Sequence, residues 1–400
     1  MTTPQTWTGR TTLAIAATMG GQAVGASAQL APAVLAIEIA RHAGVQPAMI
    51  GVYTGCVFLA AAISSLFCGE FIARYGAIRA VQFGVCLSGA GAALAATGHP
   101  AALLASALVA GFGYGPMTPA SSVVLSRWSP PNRLGLIMSI KQTGVPLGYF
   151  CTGICLPFAS AAIGWQTALL ALSCIAVSVA VVIAPASRRL DERRTGAISG
   201  GFASARASLG FLKSHHRLRR IAIASLAFAG VQVTVTSFLV VYLEADIGLD
   251  KQLAAWPLAV AGVAAVGGRI GWGWLADAAP TARLLALLPA LMALSLLFLL
   301  SAGAGWGYVI LTGLGLALGL TVMAWNGVML IEAARQAPEG QIGMATSGVL
   351  ALTFFGSMIF PQLLSVIVGA IGSYAVGYIG MMVALVAVGL WYLPDAVRKL

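Results

Sequence analysis

Twelve apolar runs, most of them separated by short loops, constrain this chain more than any other feature. They lie near 11–36, 47–70, 79–97, 101–126, 134–159, 165–185, 221–243, 252–274, 283–302, 306–331, 342–367 and 374–393. A helix that crosses a bilayer takes about 20 apolar residues. Six runs precede a polar stretch from Ala186 to Arg220, and six follow it. Composition supports the reading: 59% of the 400 residues are hydrophobic and 8% are charged, where a soluble domain carries about 25% charged residues. A soluble fold of this size exposes too much surface to hide that apolar fraction. Disorder needs the opposite balance. A membrane barrel needs short alternating segments, which are absent. The expected fold is an all-α membrane protein with twelve transmembrane helices in two pseudo-symmetric six-helix bundles. Residues 1–185 form the first bundle, 186–220 a basic linker, and 221–400 the second bundle with a short tail.

Charge orients the chain. The formal net charge is +11. With the N-terminus inside, 19 of the 22 Lys and Arg fall on the cytoplasmic side, Arg41 and Lys251 fall outside, and Lys141 lies within a helix. Loops facing the cytoplasm are rich in Lys and Arg, so both termini are placed inside and the chain in the inner (cytoplasmic) membrane. No basic face interleaved with aromatics suggests nucleic acid. The six cysteines, among them Cys151 and Cys155 on one helix face, sit in apolar runs of the first half. They read as reduced packing residues with no second pair or His to complete a metal site. No cleavable leader is evident.

The halves repeat at an offset of about 204 residues. Gly69 maps to Gly273, Arg79 to Arg283, Gly144-Val145 to Gly348-Val349, and Pro157 to Pro361. Around the loops after the fourth and tenth runs the offset becomes 208, pairing Arg127, Pro130 and Gly135 with Arg335, Pro338 and Gly343. A duplicated bundle is the arrangement of two-half transporters, with a binding site between the repeats.

One local motif stands out. Gly267-Gly268-Arg269-Ile270-Gly271-Trp272-Gly273-Trp274-Leu275-Ala276-Asp277, with Arg283 following, closes the eighth run. Its counterpart after the second run is Gly69-Glu70-Phe71-Ile72-Ala73-Arg74-Tyr75-Gly76, then Arg79. Both resemble the loop signature of the major facilitator superfamily, roughly G-x-L-A-D-R-x-G-R. The first copy has Ala73 where that signature has Asp. The second has Ala278 and Pro280 where Arg and Gly are usual. The resemblance implies two six-helix bundles around a central cavity, alternating access by rocking of the halves, and a latch of loop charges. Here those charges are Arg74, Arg79, Asp277 and Arg283. The spacing Arg269-x3-Gly273-x2-Ala276-Asp277 is also similar to the eighth helix of the monocarboxylate and oxalate:formate transporters, where an Arg at this position contacts the substrate carboxylate.

The residues themselves leave two readings of Arg269. Its fork suits a carboxylate, and an Arg buried in lipid is costly enough to demand a cavity or a partner. It also lies five residues from the expected helix end at Trp274, close enough to snorkel. Lys141, about 10 Å into the fifth run at 1.5 Å per residue, is either a cavity cation or a snorkelling Lys. Gln22, Tyr114, Gln232 and Asn326 are further candidate cavity residues, against the bland reading of helix–helix contacts. Acidic residues fall at run ends, loops or the tail, so the membrane region leans cationic. That balance favours a small organic anion, expected to be a carboxylate, moved by secondary transport with a coupled proton or an exchanged anion. A single chain holds both halves, so a monomer suffices. No phosphate loop, catalytic triad or metal cluster points to an enzyme or a cofactor. Efflux of hydrophobic drugs and a non-transporting membrane sensor are the alternatives.

Overall fold

In the computed structural model, residues 6–44, 50–191, 206, 210–338 and 341–397 are described. Among the described residues, fifteen α-helices carry the architecture: α1 (Gly9–Val34), α2 (Ala36–Ala43), α3 (Ile50–Tyr75), α4 (Ala77–Ala95), α5 (Pro100–Trp128), α6 (Leu134–Gln142), α7 (Gly144–Ile163), α8 (Trp165–Leu190), α9 (His216–Val241), α10 (Lys251–Ala278), α11 (Thr281–Leu300), α12 (Tyr308–Leu320), α13 (Asn326–Arg335), α14 (Ile342–Ile371) and α15 (Tyr374–Val397). Local chemistry sets their starts. Thr8 caps α1 in a reciprocal capping box with Thr11. Pro100 opens α5 at a position where its missing N–H costs nothing. The Asp250 carboxylate accepts the Gln252 amide at the head of α10 (2.8 Å).

Among the described residues, ten helical segments are long and apolar enough to cross a membrane. The two expected spans outside that set depart for physical reasons. α1 is 26 residues long but buries Thr11, Thr18, Gln22, Ser27 and Gln29 inside the protein, so it need not be uniformly apolar. The run 306–331 is not one helix: it breaks between Leu320 and Asn326 into α12 and α13. The run 134–159 also breaks, at Thr143, into α6 and α7. Broken backbone at membrane depth is tolerated where it faces protein or a cavity. Helices also overrun the apolar stretches that predict them. α10 continues to Ala278, α3 to Tyr75 and α8 to Leu190. Of the expected linker 186–220, residues 192–205 and 207–209 lie outside the described set, as do Arg398 and Lys399.

The packing repeats as the sequence does. α3 pairs with α5, α4 with α8 and α1 with α7; the second half pairs α10 with α12, α11 with α15 and α9 with α14. α6 packs on α10 and α13, and α14 on α3 and α5, which joins the halves. Large apolar residues such as Phe158, Val182, Val309 and Val366 point outward, as lipid-facing residues do. Small residues let the helices close up. A Cβ on Gly111 would strike the Val57 carbonyl and approach the Ala60 methyl to 2.8 Å.

Gly111→Ile should therefore overpack the α3–α5 contact, at a cost of about 1–3 kcal/mol, and lower the unfolding midpoint in detergent. Gly380→Ala, which has open space around its Cβ, should leave the midpoint unchanged or slightly raised. Equal behaviour of the two variants would show that this close approach does not support the bundle.

Candidate functional site

Two helix breaks build the centre of the molecule. Pro146 has no N–H, so the carbonyl of Gln142, four residues earlier, loses its intrahelical donor. The guanidinium of Arg269 takes it, with Nη1 donating to Gln142 O at 2.5 Å. On the other side, the α12–α13 break frees two more carbonyls. Met323 O accepts from Arg269 Nε (3.0 Å) and Leu320 O from Trp272 Nε1 (2.7 Å). Inserted side chains of this kind are a recognised cause of helix interruption. Arg269 thus lies nine residues inside the true end of α10 and is 2% exposed. It does not snorkel.

Lys141 does not snorkel either. It is 1% exposed. Its ammonium donates to Gln22 Oε1 (2.9 Å), Gln142 Oε1 (2.9 Å) and Thr118 Oγ1 (3.4 Å). Gln142 is therefore shared: its side-chain oxygen holds Lys141 while its main-chain oxygen holds Arg269. No carboxylate takes part, and the ion pairs among the described residues involve neither cation. Burying an ion costs several kcal/mol even after relaxation, so two cations without an anion form an incomplete electrostatic arrangement.

Above them is a cavity of about 1100 Å³. Its polar lining includes Gln29, Tyr114, Thr118, Gln142, Tyr149, Gln232, Arg269, Trp325 and Asn326, and the rest is mostly apolar. Of the residues singled out in the sequence, Arg269, Tyr114, Gln232 and Asn326 stand on this wall. Lys141 and Gln22 stand behind it, one hydrogen bond from Gln142 and Thr118. The Gln232 oxygen accepts from Trp325 Nε1 (2.8 Å) and Asn326 Nδ2 (3.2 Å). An indole N–H can only donate, so this fixes the amide with its oxygen inward. Among the described residues, the Gln232 and Gln142 amide nitrogens and Arg269 Nη2 donate to no protein acceptor. The oxygens near the cations are already engaged, and N–H groups remain. The sequence marks Gln142, with Thr143, as part of a cavity-lining helix face, but Gln142 carries no charge and was not selected as a site residue beside the conspicuous Lys141. Sequence reasoning overlooked Tyr149, whose hydroxyl donates to Gln29 Oε1 (3.2 Å).

The end of the bundle that carries Arg10, Arg74, Arg133 and Arg335, called here the basic end, is closed. Asp277 accepts from the Gly135 and Leu136 amides (2.8 and 2.9 Å) at the N-terminus of α6, where a carboxylate also meets the positive end of the helix dipole. Arg335 steadies it, with Nη2 3.4 Å from Asp277 Oδ1 and Nη1 donating to Ala276 O and Thr281 Oγ1. A Cβ on Gly135 would lie 2.8 Å from Gly273 O, and one on Gly273 or Gly327 would collide with Ser139. Cys68 and Ser347 meet at 3.0 Å between α3 and α14.

The other expected latch residues are not in this contact. Arg74 lies over the Tyr75 ring, and the Arg79 amide donates to Asp191 (3.2 Å), as does that of Ile78 (2.9 Å). Arg283 sits in the first turn of α11. Burial pushes the Asp191 carboxyl above the usual carboxylate range, opposed by hydrogen bonds from the Ile78, Arg79 and Ala77 amides and by the Arg79 charge. Asp191 and Arg335 were not selected from the sequence. For Arg335, its repeat partner Arg127 was the available signal.

Replacing Asp277 with Ala should loosen the basic end. In a cysteine-free background, Ser139→Cys is fully buried at the contact and should react slowly with a water-soluble maleimide. Adding Asp277→Ala should speed labelling several-fold. An unchanged rate would remove Asp277 from the closure.

The Major Facilitator Superfamily model matches residues 12–335. No curated protein matches the sequence. Among solved structures, the chain is similar to a variant of the Escherichia coli fucose:proton symporter FucP, with a TM-score of 0.71 and 17% identity over 96% of this chain and 97% of that one. It is also similar to the human organic anion transporter MFSD10 (TETRAN), with a TM-score of 0.76 and 15% identity over 96% and 99%. At these identities the likeness is one of fold.

Proposed function

This chain belongs to the Major Facilitator Superfamily, and from that premise we propose that it is a secondary transporter of a small organic anion, a carboxylate above all. The fold does not select the cargo, since similar structures include a sugar symporter and an organic anion transporter. The observation that carries the choice is the pair of buried cations, Arg269 and Lys141, with no carboxylate among the described residues of the cavity wall. An anionic ligand completes that arrangement. Arg269 Nη2 would donate to one carboxylate oxygen, and the Gln142 and Gln232 amides to the other. Lys141 would supply charge from one layer behind, oriented by Gln22. Tyr114 and Asn326 would line the approach. The Arg spacing in α10, similar to that of the monocarboxylate and oxalate:formate transporters, supports the same choice of cargo.

The wider reading follows the charge pattern. The basic end faces the cytoplasm, with both termini there, in the inner membrane. The bundles are 1–185 and 221–400, joined by 186–220. The cavity, closed at the basic end, then represents a state open away from the cytoplasm. Rocking of the halves would part Asp277 from α6, and a proton or an exchanged anion would accompany the cargo. A monomer is sufficient. The competing reading, export of neutral hydrophobic compounds, draws on the apolar remainder of the wall.

Thermal unfolding with a panel of carboxylates, sugars, amines and neutral drugs tests this. A ligand at 100 times its Kd adds about 2.7 kcal/mol to the native state. Carboxylates should raise the midpoint of the wild type. Arg269→Gln, provided its own midpoint shows it folded, should lose at least tenfold in carboxylate affinity, which corresponds to about 1.4 kcal/mol. Stabilisation by neutral or cationic compounds alone would move the export reading ahead.

A further inference from the structure

The cavity is too large and too apolar for a small carboxylate alone. Its volume of about 1100 Å³ is at the upper end of what drug-sized ligands occupy. The cations are confined to one end of it, beside Gln142. Away from them the wall runs between α7 and α10. These helices separate because the break at Thr143 releases α7 from the course of α6, which is held against α10 by Gly135, Ser139 and Gly273. Residues on both flanks line the cavity and keep a large accessible surface. Phe150 is 59% exposed and Ile154 45% on α7, and Val263 is 70% exposed on α10.

The depth of that rim identifies what it faces. Phe150 lies 13 residues from the end of α7 at Ile163, and Val263 lies 12 residues from the start of α10 at Lys251. At 1.5 Å per residue these are depths of about 20 and 18 Å, near the middle of helices that cross a hydrocarbon layer about 30 Å thick. At that depth, any side of the rim turned away from the cavity meets acyl chains rather than water. On α10 the rim is bordered by Ala255, Ala259 and Gly267, at four- or eight-residue spacing from Val263, so the flank offers little steric bulk.

We propose that the cargo is an amphipathic monoanion: its carboxylate is held at Arg269 and Gln142, and its alkyl tail leaves through the gap between α7 and α10 into the bilayer. This rests on the anionic reading of the site and narrows it. The hydrocarbon tail would exchange lipid neighbours for Phe150, Ile154 and Val263 without meeting water, while the head reaches the buried cations.

Two measurements on the full-length protein in lipid nanodiscs test the idea. The first is competition among linear carboxylates from acetate to dodecanoate, at matched aqueous concentration, with dodecyltrimethylammonium as the charge-reversed control. Affinity should rise by up to about fourfold for each methylene that becomes buried, and the cation should compete poorly. The second is photolabelling with dodecanoate carrying a diazirine at its far end. Labels should map to 147–154 and 255–266, be suppressed by unlabelled dodecanoate, and be lost in Arg269→Gln. If acetate binds as tightly as dodecanoate, or labels fall elsewhere with the carboxylate still required, the tail portal is wrong and the small-anion reading stands. If the cationic amphiphile competes as well as dodecanoate, the portal proposal and the anionic reading fail together.

Discussion

A guanidinium and an ammonium share one glutamine at the centre of this molecule, and among the described residues no carboxylate balances them. The neighbouring structure is organised around that constraint. Arg269 and Lys141 are tolerable only because their N–H groups meet oxygens, since an unpaired ion in a dry interior is prohibitive. A regular transmembrane helix has no spare main-chain oxygens to offer, because each is used four residues along. The helices that face the cations are irregular where the oxygens are needed. Pro146 frees the Gln142 carbonyl, and the interruption between α12 and α13 frees those of Met323 and Leu320. The side-chain oxygens of Gln22, Gln142 and Thr118 complete the shell. These contacts meet the hydrogen-bonding demand of both cations except at Arg269 Nη2, but none of them neutralises charge. The remaining positive potential would favour an anion over a cation at this site.

The same nine-residue helix connects recognition to movement. α6 carries Lys141 and Gln142 at one end and receives the Asp277 carboxylate at the other. Its middle carries Ser139, wedged between Gly273 and Gly327. A ligand that draws on Gln142 and Arg269 therefore acts on both partners of the α6–α10 contact that closes the basic end. The α6–α10 contact is thus the place where a bound ligand would favour one state over another through differential contacts. The duplicated loop is used unequally. In the second half Asp277 reaches across to α6, whereas in the first half, which has Ala73 at the corresponding place, Asp191 accepts the Ile78 and Arg79 amides at the start of α4.

Much of the fold was legible because bilayer insertion acts on local composition. Apolar runs and positive loops are properties of short segments, so the all-helical membrane class follows from them. Legibility stopped where helices are interrupted. Nothing local to 321–325 marks a break: the stretch holds no proline or glycine, and the partners that take its carbonyls come from α10. Pro146 was visible, but its consequence depends on Arg269, which lies 127 residues after the Gln142 carbonyl that it engages. The expected end of α10 at Trp274 was also short. Apolarity marks the hydrocarbon layer, while the helix runs on to Ala278 and sets Arg269 deeper than the pattern implied.

The amino-acid sequence by itself determined that this chain is a helical membrane protein of two related halves, because hydrophobic transfer and charge are summed residue by residue. It also determined which unusual residues enter the membrane: Lys141, Arg269 and the glutamines. Only the tertiary structure decided that these meet at Gln142, that Gln22 turns toward Lys141 rather than the cavity, and that Asp277 bridges to α6. Those outcomes depend on which oxygens and amides come within about 3 Å of one another, and that distance is set by the packing of helices distant in sequence.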